Sequence, residues 1–386
     1  MGYGGPQLLI FRNAQRFLHF REFGDTMSLD GWLFFTILIV VCILVNAALV
    51  LFWNKFRGKK VAKNAQRFAL LVIAQLLVVT TFFVGINRSM VFFSSWSDLF
   101  GNYNAYKSPI TQIQGGGTSQ LDTFVRNARL SPGFRSQGGQ FSFVLQGTQS
   151  GVTAPVFVYL PPTYGVDPTK KWPVLVLLPG YPGVPTTWFH AMSLVKILRH
   201  EISTGYAHDF LIVLPTMNIP ATRDTECTDI PGGPLVNTWL GVDVPNAVIG
   251  GLAASADRKD WAIAGYSTGG FCAAKVMLSH SSRFSVAVPI AGYFYPTQTK
   301  LFGGSPKLRD VNSPLLLAGS LKLPSHMLLV GTSQDPGVMR AIAAMEKVNN
   351  PNLVIDQLID QHGGHSTKVW KSQLPRILDW LSTKIP

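Results

Sequence analysis

The sequence has little charge, and acidic charge is the scarcer kind. Only 14% of its 386 residues are charged, and 20 acidic residues stand against 33 lysines and arginines, which gives a formal net charge of +13. The basic residues form no long Lys/Arg-rich block with interleaved aromatics, so the charge argues against a nucleic-acid partner. Part of the basic excess lies beside apolar segments, and 47% of the chain is apolar. This arrangement favours a membrane as the partner.

Cysteine is also scarce. The chain has three cysteines, and no two of them form a Cys-x-x-Cys pair, which argues against a structural zinc site. Cys42 lies inside an apolar segment. Cys227 and Cys272 lie in the C-terminal domain, and a disulfide between them stays open, on the condition that this domain lies outside the cytoplasm. We expect neither a metal nor any other cofactor.

A cleavable signal peptide is a third feature that we do not find. Residues 1–30 carry Arg12, Arg16 and Arg21 among scattered aromatics and look amphipathic or disordered. The apolar run that follows is too long for a signal peptide, and no small-residue cleavage site is evident. A second, natural-looking start at Met27 would make the first 26 residues an upstream extension. The sequence leaves both starts open.

Two long apolar runs follow this extension. Gly31 to Trp53 carries no charge, Phe68 to Ile86 is a second such run, and each is near the length needed to cross a bilayer. A buried helix pair in a soluble core is the alternative. Two runs in tandem favour a transmembrane hairpin over residues 31–87.

The short loop between the runs, Asn54 to Arg67, contains six lysines and arginines. By the positive-inside rule this loop faces the cytoplasm, so everything after Asn87 lies outside it. The three N-terminal arginines oppose this orientation, because they place positive charge on the other side of the first apolar run. They are absent from the protein if translation starts at Met27. The expected localisation is a two-pass protein of the cell membrane with an extracytoplasmic C-terminal domain.

Residues 88–138 are expected to be a juxtamembrane segment and linker. The aromatics that suit the membrane interface are Phe92, Phe93, Trp96 and Phe100. Two Gly/Ser/Pro stretches, residues 115–117 and 131–133, are typical of a linker. We therefore expect the folded C-terminal domain to occupy residues 139–386.

Short apolar runs alternate with helical patterns throughout residues 139–386. Gln140–Leu145 and Pro155–Leu160 alternate apolar and polar residues, which predicts an antiparallel pair at a sheet edge. The buried-strand runs are Pro173–Leu178, Phe210–Leu214, Trp261–Ala264, Ser285–Ile290, Met327–Val330 and Leu353–Leu358. The helical patterns are Thr187–Ile202, Val242–Ala254, Thr268–His280, Val338–Val348 and Ser366–Thr383. This alternation predicts an α/β fold with a doubly wound sheet and a site at the carboxyl ends of its strands.

The stretch from Asp260 to Phe271 organises this domain. A short apolar strand ends in Gly265-Tyr266-Ser267-Thr268-Gly269, and a helical pattern follows, which is the setting of a nucleophile elbow. Small residues flank the serine because the turn holds it in a strained conformation. Ser267 is therefore a candidate nucleophile, and an ordinary Gly-rich strand–helix turn is the alternative.

A serine hydroxyl needs a general base, and the base needs an orienting acid. After a nucleophile elbow the acid comes first along the chain and the histidine second. Asp335 follows the strand Met327–Val330 and is the candidate acid, with a helix N-cap as its alternative role. Asp356 and Asp360 are weaker candidates.

Two histidines compete for the role of base. His362 and His365 both follow the strand Leu353–Leu358. We favour His365 because it stands just before the final helix, where a loop histidine can point back over the sheet. The pair is also readable as metal ligands, but no clear third ligand lies nearby.

The oxyanion of an acyl-transfer intermediate needs preorganised N–H donors. One candidate is the backbone N–H of Thr268, and the other is that of Tyr181 in the Gly/Pro-rich loop after Pro173–Leu178. A plain Gly/Pro turn is the alternative for that loop. The acidic segment Asp224–Gly233 is open to three interpretations: a cation site, a rim of a cleft, or, as is more usual, a solvated loop.

These motifs together resemble the esterase D and antigen 85 (mycolyltransferase) group of α/β-hydrolases, and more closely its membrane-anchored actinobacterial members. The resemblance covers the chain from about Phe141 to its end, with a looser match over residues 88–101. The residues that carry it are Leu177–Tyr181, Ala264–Gly270, Asp335 and Gly363–Ser366. It implies Ser267, Asp335 and His365 as a catalytic triad, and Tyr181 and Thr268 as the oxyanion hole.

The sequence departs from the mycolyltransferases in two places. Tyr266 and Thr268–Gly270 stand where those enzymes usually have Leu and Met-Ala, and Asp335 stands where they use Glu. Both departures favour the broader esterase group over mycolyl transfer.

The resemblance and the apolar runs together predict a membrane-anchored, extracytoplasmic serine esterase or acyltransferase. We expect an acyl ester of a lipid or of a cell-envelope glycolipid as substrate, water or a sugar hydroxyl as acceptor, and membrane lipid around two helices. The alternative is a catalytically inactive hydrolase-fold protein that serves as a membrane-tethered binding or scaffold module. A peptidase is a third interpretation, which no sequence feature requires.

Overall fold

The computed structural model describes residues 29, 31–56, 58–90, 111–114, 125 and 134–386. The chain divides into two compact units, Met1–Ser89 and Met90–Pro386. Several predictions lie outside the described residues. They concern the extension with Arg12, Arg16 and Arg21, the start at Met27, the interfacial aromatics Phe92, Phe93, Trp96 and Phe100, and the linker stretches 115–117 and 131–133.

Two helices, α1 (Trp32–Phe52) and α2 (Lys60–Met90), make up most of the described part of the first unit. α1 contains no charged residue, and many of its Ile, Leu and Val side chains are exposed. The most apolar stretches of α1 and α2 have a mean hydropathy of 2.9 and 2.5, so by length and composition both helices could cross a membrane.

The connection between α1 and α2 is shorter than the predicted loop. α2 begins at Lys60, so Lys60, Lys63 and Arg67 lie on its first turns. Lys, Ala, Gln and Arg are good helix formers, which is why a basic composition did not keep this stretch out of the helix. The Arg67 guanidinium donates two hydrogen bonds to the carbonyl of Trp53, at 2.7 and 3.1 Å, and so ties the start of α2 to the end of α1.

Within the described residues, the second unit is built on a nine-stranded sheet in the order β1-β2-β3-β5-β4-β6-β7-β8-β9. Its strands are β1 (Thr111–Gln114), β2 (Gly139–Gln146), β3 (Thr153–Leu160), β4 (Val174–Leu178), β5 (Leu211–Pro215), β6 (Trp261–Tyr266), β7 (Val286–Ile290), β8 (Ser325–Thr332) and β9 (Leu353–Asp360). β3 pairs antiparallel with β2 and β5, and the strands from β5 to β9 pair in parallel. The predicted α/β class and doubly wound sheet are confirmed.

The central strands lie in the core of the sheet. Every residue of β4, β5, β6 and β7 is buried. Their sequences are near-continuous runs of Val, Ile, Leu and Ala because a parallel strand covered on both faces has no polar side to present. The carboxyl ends of these strands are therefore held rigidly, and so are the starts of the turns that follow them.

The longer connecting helices are α3 (Leu194–Thr204), α4 (Val244–Gly251), α5 (Thr268–Ser279), α6 (Pro336–Glu346) and α7 (Thr367–Lys384). The last three agree with the predicted helices to within two residues at each end. The predicted helix Val242–Ala254 is shorter, since a π-type turn, Trp239–Asp243, precedes α4.

The predicted helix Thr187–Ile202 is wrong in its first half. Pro185–Trp188 form a single 3₁₀ turn, and α3 begins only at Leu194. Ser193, the residue before α3, has a φ of 51°. A residue in this left-handed conformation cannot lie inside a right-handed helix, so the two helical pieces stay separate.

The antiparallel pair β2–β3 is not the edge of the sheet, contrary to the prediction. β1 pairs in parallel with β2 and forms that edge of the described sheet, and β9 forms the other. β1 lies within residues 88–138, which the sequence assigns to the juxtamembrane segment and linker. Its sequence, Thr-Gln-Ile-Gln, is too short and too polar to reveal a strand by periodicity.

Candidate active site

Ser267 lies at a sharp turn between β6 and α5. Its φ and ψ are 56° and −121°, a strained conformation for a residue with a side chain. A Cβ atom on Gly265 would collide with the backbone of Gly269, and one on Gly269 would collide with the carbonyls of Leu178 and Pro179. Only glycine fits at these two positions, which explains the Gly-x-Ser-x-Gly spacing.

The structure brings Ser267, His365 and Asp335 together. The Ser267 hydroxyl oxygen lies 2.9 Å from Nε2 of His365, and Nδ1 of the same ring lies 2.8 Å from Oδ2 of Asp335. Three residues separated by up to 98 positions in the sequence thus form one hydrogen-bonded line. This is the arrangement in which a histidine can take a proton from a serine while a carboxylate orients it.

Asp335 fills both of the roles that its sequence position suggests. Its Oδ2 atom binds His365, while its Oδ1 atom accepts a hydrogen bond from the N–H of Val338 at 3.1 Å. It is therefore also the N-cap of α6. The cap fixes the carboxylate, so its second oxygen points at the histidine in a defined direction.

The loop that carries His365 is pinned to the turn after β8. The Thr332 hydroxyl donates to the carbonyl of Gly363 at 2.5 Å, and Gln334 Oε1 accepts from the Gly363 N–H at 2.9 Å. Gly363 has a φ of 104°, which a residue with a side chain rarely adopts. His362 lies in the same loop and is exposed, so it is His365 that reaches the serine.

The two weaker acid candidates are engaged elsewhere. Asp356 accepts from the indole N–H of Trp380 at 2.9 Å. Asp360 pairs with the guanidinium of Arg376 at 2.8 Å, and that hydrogen bond holds the pKa of Asp360 below its usual value. Both pairs tie β9 to α7 and leave the orienting position to Asp335.

An aromatic stack backs the histidine. The Trp370 ring lies edge-to-face with His365, with centroids 5.0 Å apart, and stacks on Tyr266 at 4.7 Å. Tyr266 in turn meets Trp188 at 5.3 Å. The three other rings of this stack, Trp370, Tyr266 and Trp188, are all buried. Trp370 therefore contacts both the His365 ring and Tyr266, the residue before Ser267. The sequence did not predict these contacts.

The loop after β4 lies against the nucleophile turn, as predicted. A Cβ atom on Gly180 would come within 3.3 Å of the Ser267 Cβ atom. The Asn218 side chain shapes this loop, since its Nδ2 donates to the carbonyls of Gly180 at 3.2 Å and Gly183 at 2.8 Å. Tyr181 directly follows Gly180 in this loop. Its N–H and that of Thr268 stay the predicted oxyanion donors.

The acidic segment is a solvated loop only at its end, where residues 231–233 are exposed. Thr225, Glu226, Cys227 and Thr228 are all buried, and Cys227 forms a disulfide with Cys272 of α5. We call these four residues the buried wall. Its neighbour Asp224 accepts a hydrogen bond from the Thr268 hydroxyl at 3.1 Å, and burial raises the pKa of Asp224. The segment thus packs beside Thr268, the residue after Ser267.

A buried carboxylate joins the wall to the connection after β7. Glu226 accepts four hydrogen bonds, from the hydroxyl of Tyr293, the N–H and hydroxyl of Thr297 and the N–H of Gln298, at 2.6–3.2 Å. A fully buried carboxylate is tolerated only when its lone pairs are satisfied in this way. Burial also raises the pKa of the Tyr293 hydroxyl.

A buried ammonium joins the wall to α5. Lys275 donates to the carbonyls of Glu226 and Cys227 and to the hydroxyl of Thr228, at 3.0–3.1 Å. Burial lowers the pKa of Lys275 to about 7. A lysine inside the apolar run Phe271–Leu278 is the sequence signal that a buried acceptor group faces this helix.

Within the part of the chain that the structure describes, no group of three or more His, Cys, Asp or Glu side chains is arranged to hold a metal ion.

Two comparisons place the chain among known proteins. A family model described as putative esterase matches residues 149–381. An uncharacterised protein of Corynebacterium glutamicum is 26% identical over 269 residues, which are 65% of this chain and 63% of the relative. The chain thus spans less than two thirds of the length of that curated relative.

Solved structures share the fold. One is a ferulic acid esterase, 18% identical with a TM-score of 0.53, over 65% of this chain and 99% of that chain. Another is a fluorophosphonate-binding serine hydrolase of Staphylococcus aureus, 19% identical with a TM-score of 0.52, over 64% of this chain and 99% of that chain. Identities this low establish the common sheet and no more.

The family match covers more than half of the chain, and Ser267, Asp335 and His365 all lie inside it. The resemblance to esterases of the α/β-hydrolase class is thereby confirmed. The predicted enzyme class, a carboxylic-ester hydrolase, agrees with the description of that family. The chain belongs to the putative esterase family.

Proposed function

We propose that the protein is a membrane-anchored serine esterase or acyltransferase whose catalytic triad is Ser267, His365 and Asp335. The observation that carries the proposal is the hydrogen-bonded line from the Ser267 hydroxyl through the His365 ring to Asp335, with both distances below 3 Å. Ser267, at one end of this hydrogen-bonded line, lies in a strained turn. The turn holds the hydroxyl above the sheet, where an ester can approach it.

The first half of the reaction transfers the acyl group to the enzyme. The Ser267 oxygen attacks the ester carbonyl carbon while Nε2 of His365 takes the hydroxyl proton. Asp335 holds the Nδ1–H, which keeps Nε2 free to act as the base. The carbonyl π electrons move to the oxygen, which accepts hydrogen bonds from the N–H groups of Tyr181 and Thr268.

The second half releases the product. The ester C–O bond breaks, His365 gives its proton to the leaving alcohol, and the acyl group stays on Ser267. Water or a sugar hydroxyl then attacks this acyl-enzyme, His365 takes its proton, and Ser267 recovers it when its own C–O bond breaks. Hydrolysis and transfer differ only in the acceptor, so the same residues serve both.

Two observations support an extracytoplasmic catalytic unit. Disulfides persist in oxidising compartments, and Cys227 is bonded to Cys272. The stretch from Asn54 to Arg67, which comprises the end of the connection between α1 and α2 and the first turns of α2, is rich in lysine and arginine, and such basic stretches beside apolar helices favour the cytoplasmic side. If α1 and α2 span the membrane, the chain after them lies on the opposite side.

The membrane anchor favours lipid or cell-envelope glycolipid esters as substrates. An enzyme held at a membrane meets amphipathic esters at high local concentration, whereas small soluble esters gain nothing from the anchor. The rival function is a catalytically inactive, membrane-tethered binding module. A binding module requires no reactive serine, so an experiment on the reactivity of Ser267 distinguishes the two functions.

The test is hydrolysis of p-nitrophenyl esters of increasing chain length by the purified full chain. We expect the Ser267→Ala variant to lose about 10⁵-fold in kcat or more, as removal of the nucleophile from a serine triad does. Ser320→Ala, which changes an exposed serine outside the site, is the matched control. Equal hydrolysis by the wild type and Ser267→Ala would refute the assignment.

A further inference from the structure

The connection between β7 and β8 carries an unusual share of the exposed apolar surface. Eight large apolar side chains are exposed among residues 134–386, and five of them lie within residues 295–323. These five are Tyr295, Leu308, Val311, Leu316 and Leu323. Val311 and Leu316 are 55% and 50% exposed. Single exposed apolar residues are ordinary, whereas their concentration in one segment marks an interaction surface.

The same segment is basic. Residues 295–323 contain Lys300, Lys307, Arg309 and Lys322 and only one acidic residue, Asp310, which gives four positive charges against one negative. The Asp310 carboxylate accepts a hydrogen bond from the Tyr295 hydroxyl at 3.0 Å. The segment therefore combines apolar side chains with a positive excess, which complements an anionic surface.

Local contacts hold the exposed residues on one small piece of structure. The Arg309 guanidinium lies 4.9 Å from the Tyr295 ring centroid. The Ser313 hydroxyl and the Leu315 N–H both donate to the carbonyl of Phe294, each at 3.0 Å. Residue 295 and residues 308–316 thus stay together.

The short helix Pro314–Gly319 orients its middle leucine outward. Leu315 and Leu317 pack partly against the core, while Leu316 between them is exposed. We call Tyr295, Leu308, Val311 and Leu316 the docking patch. The backbone on either side of Leu316 is thereby held against the core.

The chain that leads to the docking patch leaves the sheet beside the candidate active site. The Ser267 N–H donates to the carbonyl of Ile290, the last residue of β7, at 2.9 Å. Three residues on, the Tyr293 ring stacks on Phe271 of α5 at 4.8 Å. The segment that bears the patch therefore leaves the sheet next to Ser267.

We propose that the docking patch binds an anionic lipid surface and thereby presents Ser267 to esters held in that surface. A tyrosine, branched aliphatic side chains and neighbouring lysines and arginines are the composition that interfacial elements use. The same chain carries two candidate membrane spans. The second half of the proposal rests on the proposed function, and the first half does not.

The binding test uses the full chain reconstituted with lipid nanodiscs. One preparation contains phosphatidylcholine alone, and the other contains phosphatidylcholine with phosphatidylglycerol. Hydrogen–deuterium exchange of residues 295–323 is compared between the two. We expect slower exchange in the anionic nanodiscs only. Equal exchange in both lipids overturns the proposal, and so does slower exchange that appears only when another protein is added.

The activity test compares an ester embedded in anionic vesicles with a soluble p-nitrophenyl ester. In the variant Val311→Ser/Leu316→Ser the ratio of vesicle to soluble activity is expected to fall about tenfold, since two aliphatic side chains no longer leave water. The matched control is Val166→Ser/Val354→Ser, which changes two exposed valines outside the segment. An unchanged ratio in the patch variant, or an equal fall in the control, contradicts the proposal.

The two tests separate the two claims. If the wild type hydrolyses no ester in a Ser267-dependent way, the proposed function fails, and the exchange experiment still decides whether the patch binds lipid. If hydrolysis depends on Ser267 but neither exchange nor the activity ratio responds to the lipid or to the variant, the proposed function stands and the docking patch does not.

Discussion

The residues on the two sides of Ser267 differ in how exposed they are and in the interactions that stabilise them. On one side, His365 and Asp335 come from loops at the ends of β9 and β8, and their side chains are 38% and 18% exposed. On the other side, the buried wall is fastened to α5 by a disulfide and by Lys275, all out of contact with water. The groups that exchange protons with a substrate need access, so the rigidity that keeps them in register lies in the core around them.

The comparison predicts that the accessible side controls rate and the buried side controls stability. Variants on each side should therefore fail in different assays. A variant that lowers kcat and the free energy of unfolding to the same degree would contradict this distinction. A variant that lowers only one of these two quantities supports it.

Among the variants that test this comparison, the largest effect is expected for Asp335→Asn. Asparagine still caps α6 but turns an amide toward His365, which favours the wrong imidazole tautomer. We expect kcat to fall about 10⁴-fold with little change in the melting temperature. Ester hydrolysis and thermal unfolding check this on the same preparation. Asp360→Asn, a carboxylate paired with Arg376 instead, is the control. Activity within tenfold of the wild type would remove Asp335 from the triad.

The disulfide should give the next largest effect, and on stability. Cys227 and Cys272 are 45 residues apart, a loop whose closure contributes about 4 kcal/mol by restricting the unfolded chain. We expect the variant Cys227→Ala/Cys272→Ala to lose stability of this order in urea unfolding, and Cys42→Ala to lose much less. A loss below about 1 kcal/mol would mean that the wall is held by its hydrogen bonds alone.

Trp370 lies between His365 and Tyr266 and should act on rate. Its ring fixes the imidazole in the one direction that the two hydrogen bonds of His365 leave free. We expect Trp370→Leu to lower kcat about tenfold and Trp370→Phe to restore most of it, since an aromatic contact of this kind contributes about 1 kcal/mol. Trp380→Leu on the same helix is the control.

The role of Trp370 is a positioning role, so it should vanish when His365 is absent. In a His365→Ala background, Trp370→Leu should have no further effect on the residual rate, because residues that act as a unit are not additive. An additive loss in the double variant would assign Trp370 to general stability instead.

A further effect, on how stability depends on pH, is expected from Lys275. Burial lowers its pKa to about 7 in the folded protein, from the usual value near 10.5. Between about pH 7 and pH 10 the unfolded chain therefore binds more protons, so this group makes stability rise with pH, by up to about 1.4 kcal/mol per pH unit. Unfolding of the wild type and of Lys275→Met between pH 7 and pH 9 tests the sign. The same slope in both proteins would contradict it.

Much of the fold is readable from the sequence because its signals are local. The apolar runs of β4 to β9 and the helices after β6, β8 and β9 are set by periodicity and by glycine at fixed positions, and all were predicted. β1 and the break before α3 were not. A four-residue polar strand gains its stability only from pairing with β2, and the conformation of Ser193 is imposed by packing.

The candidate site divides in the same way. Ser267, Asp335 and His365 each follow a strand, and their order along the chain predicts the role of each. The buried wall could not be predicted, because an acidic stretch that contains Glu226 and Asp229 has the composition of a solvated loop. Only the three-dimensional structure shows the hydrogen bonds to Glu226 and the ammonium of Lys275 that make its burial tolerable.

The central claim is that the hydroxyl at position 267 is activated by the imidazole at position 365. The most direct measurement is labelling of the purified protein with a fluorophosphonate probe, followed by peptide mass spectrometry. We predict one modified peptide, with the probe on Ser267, and a rate of labelling that collapses in His365→Ala but not in His362→Ala. Labelling that ignores the loss of His365, or that falls on another serine, would contradict the claim.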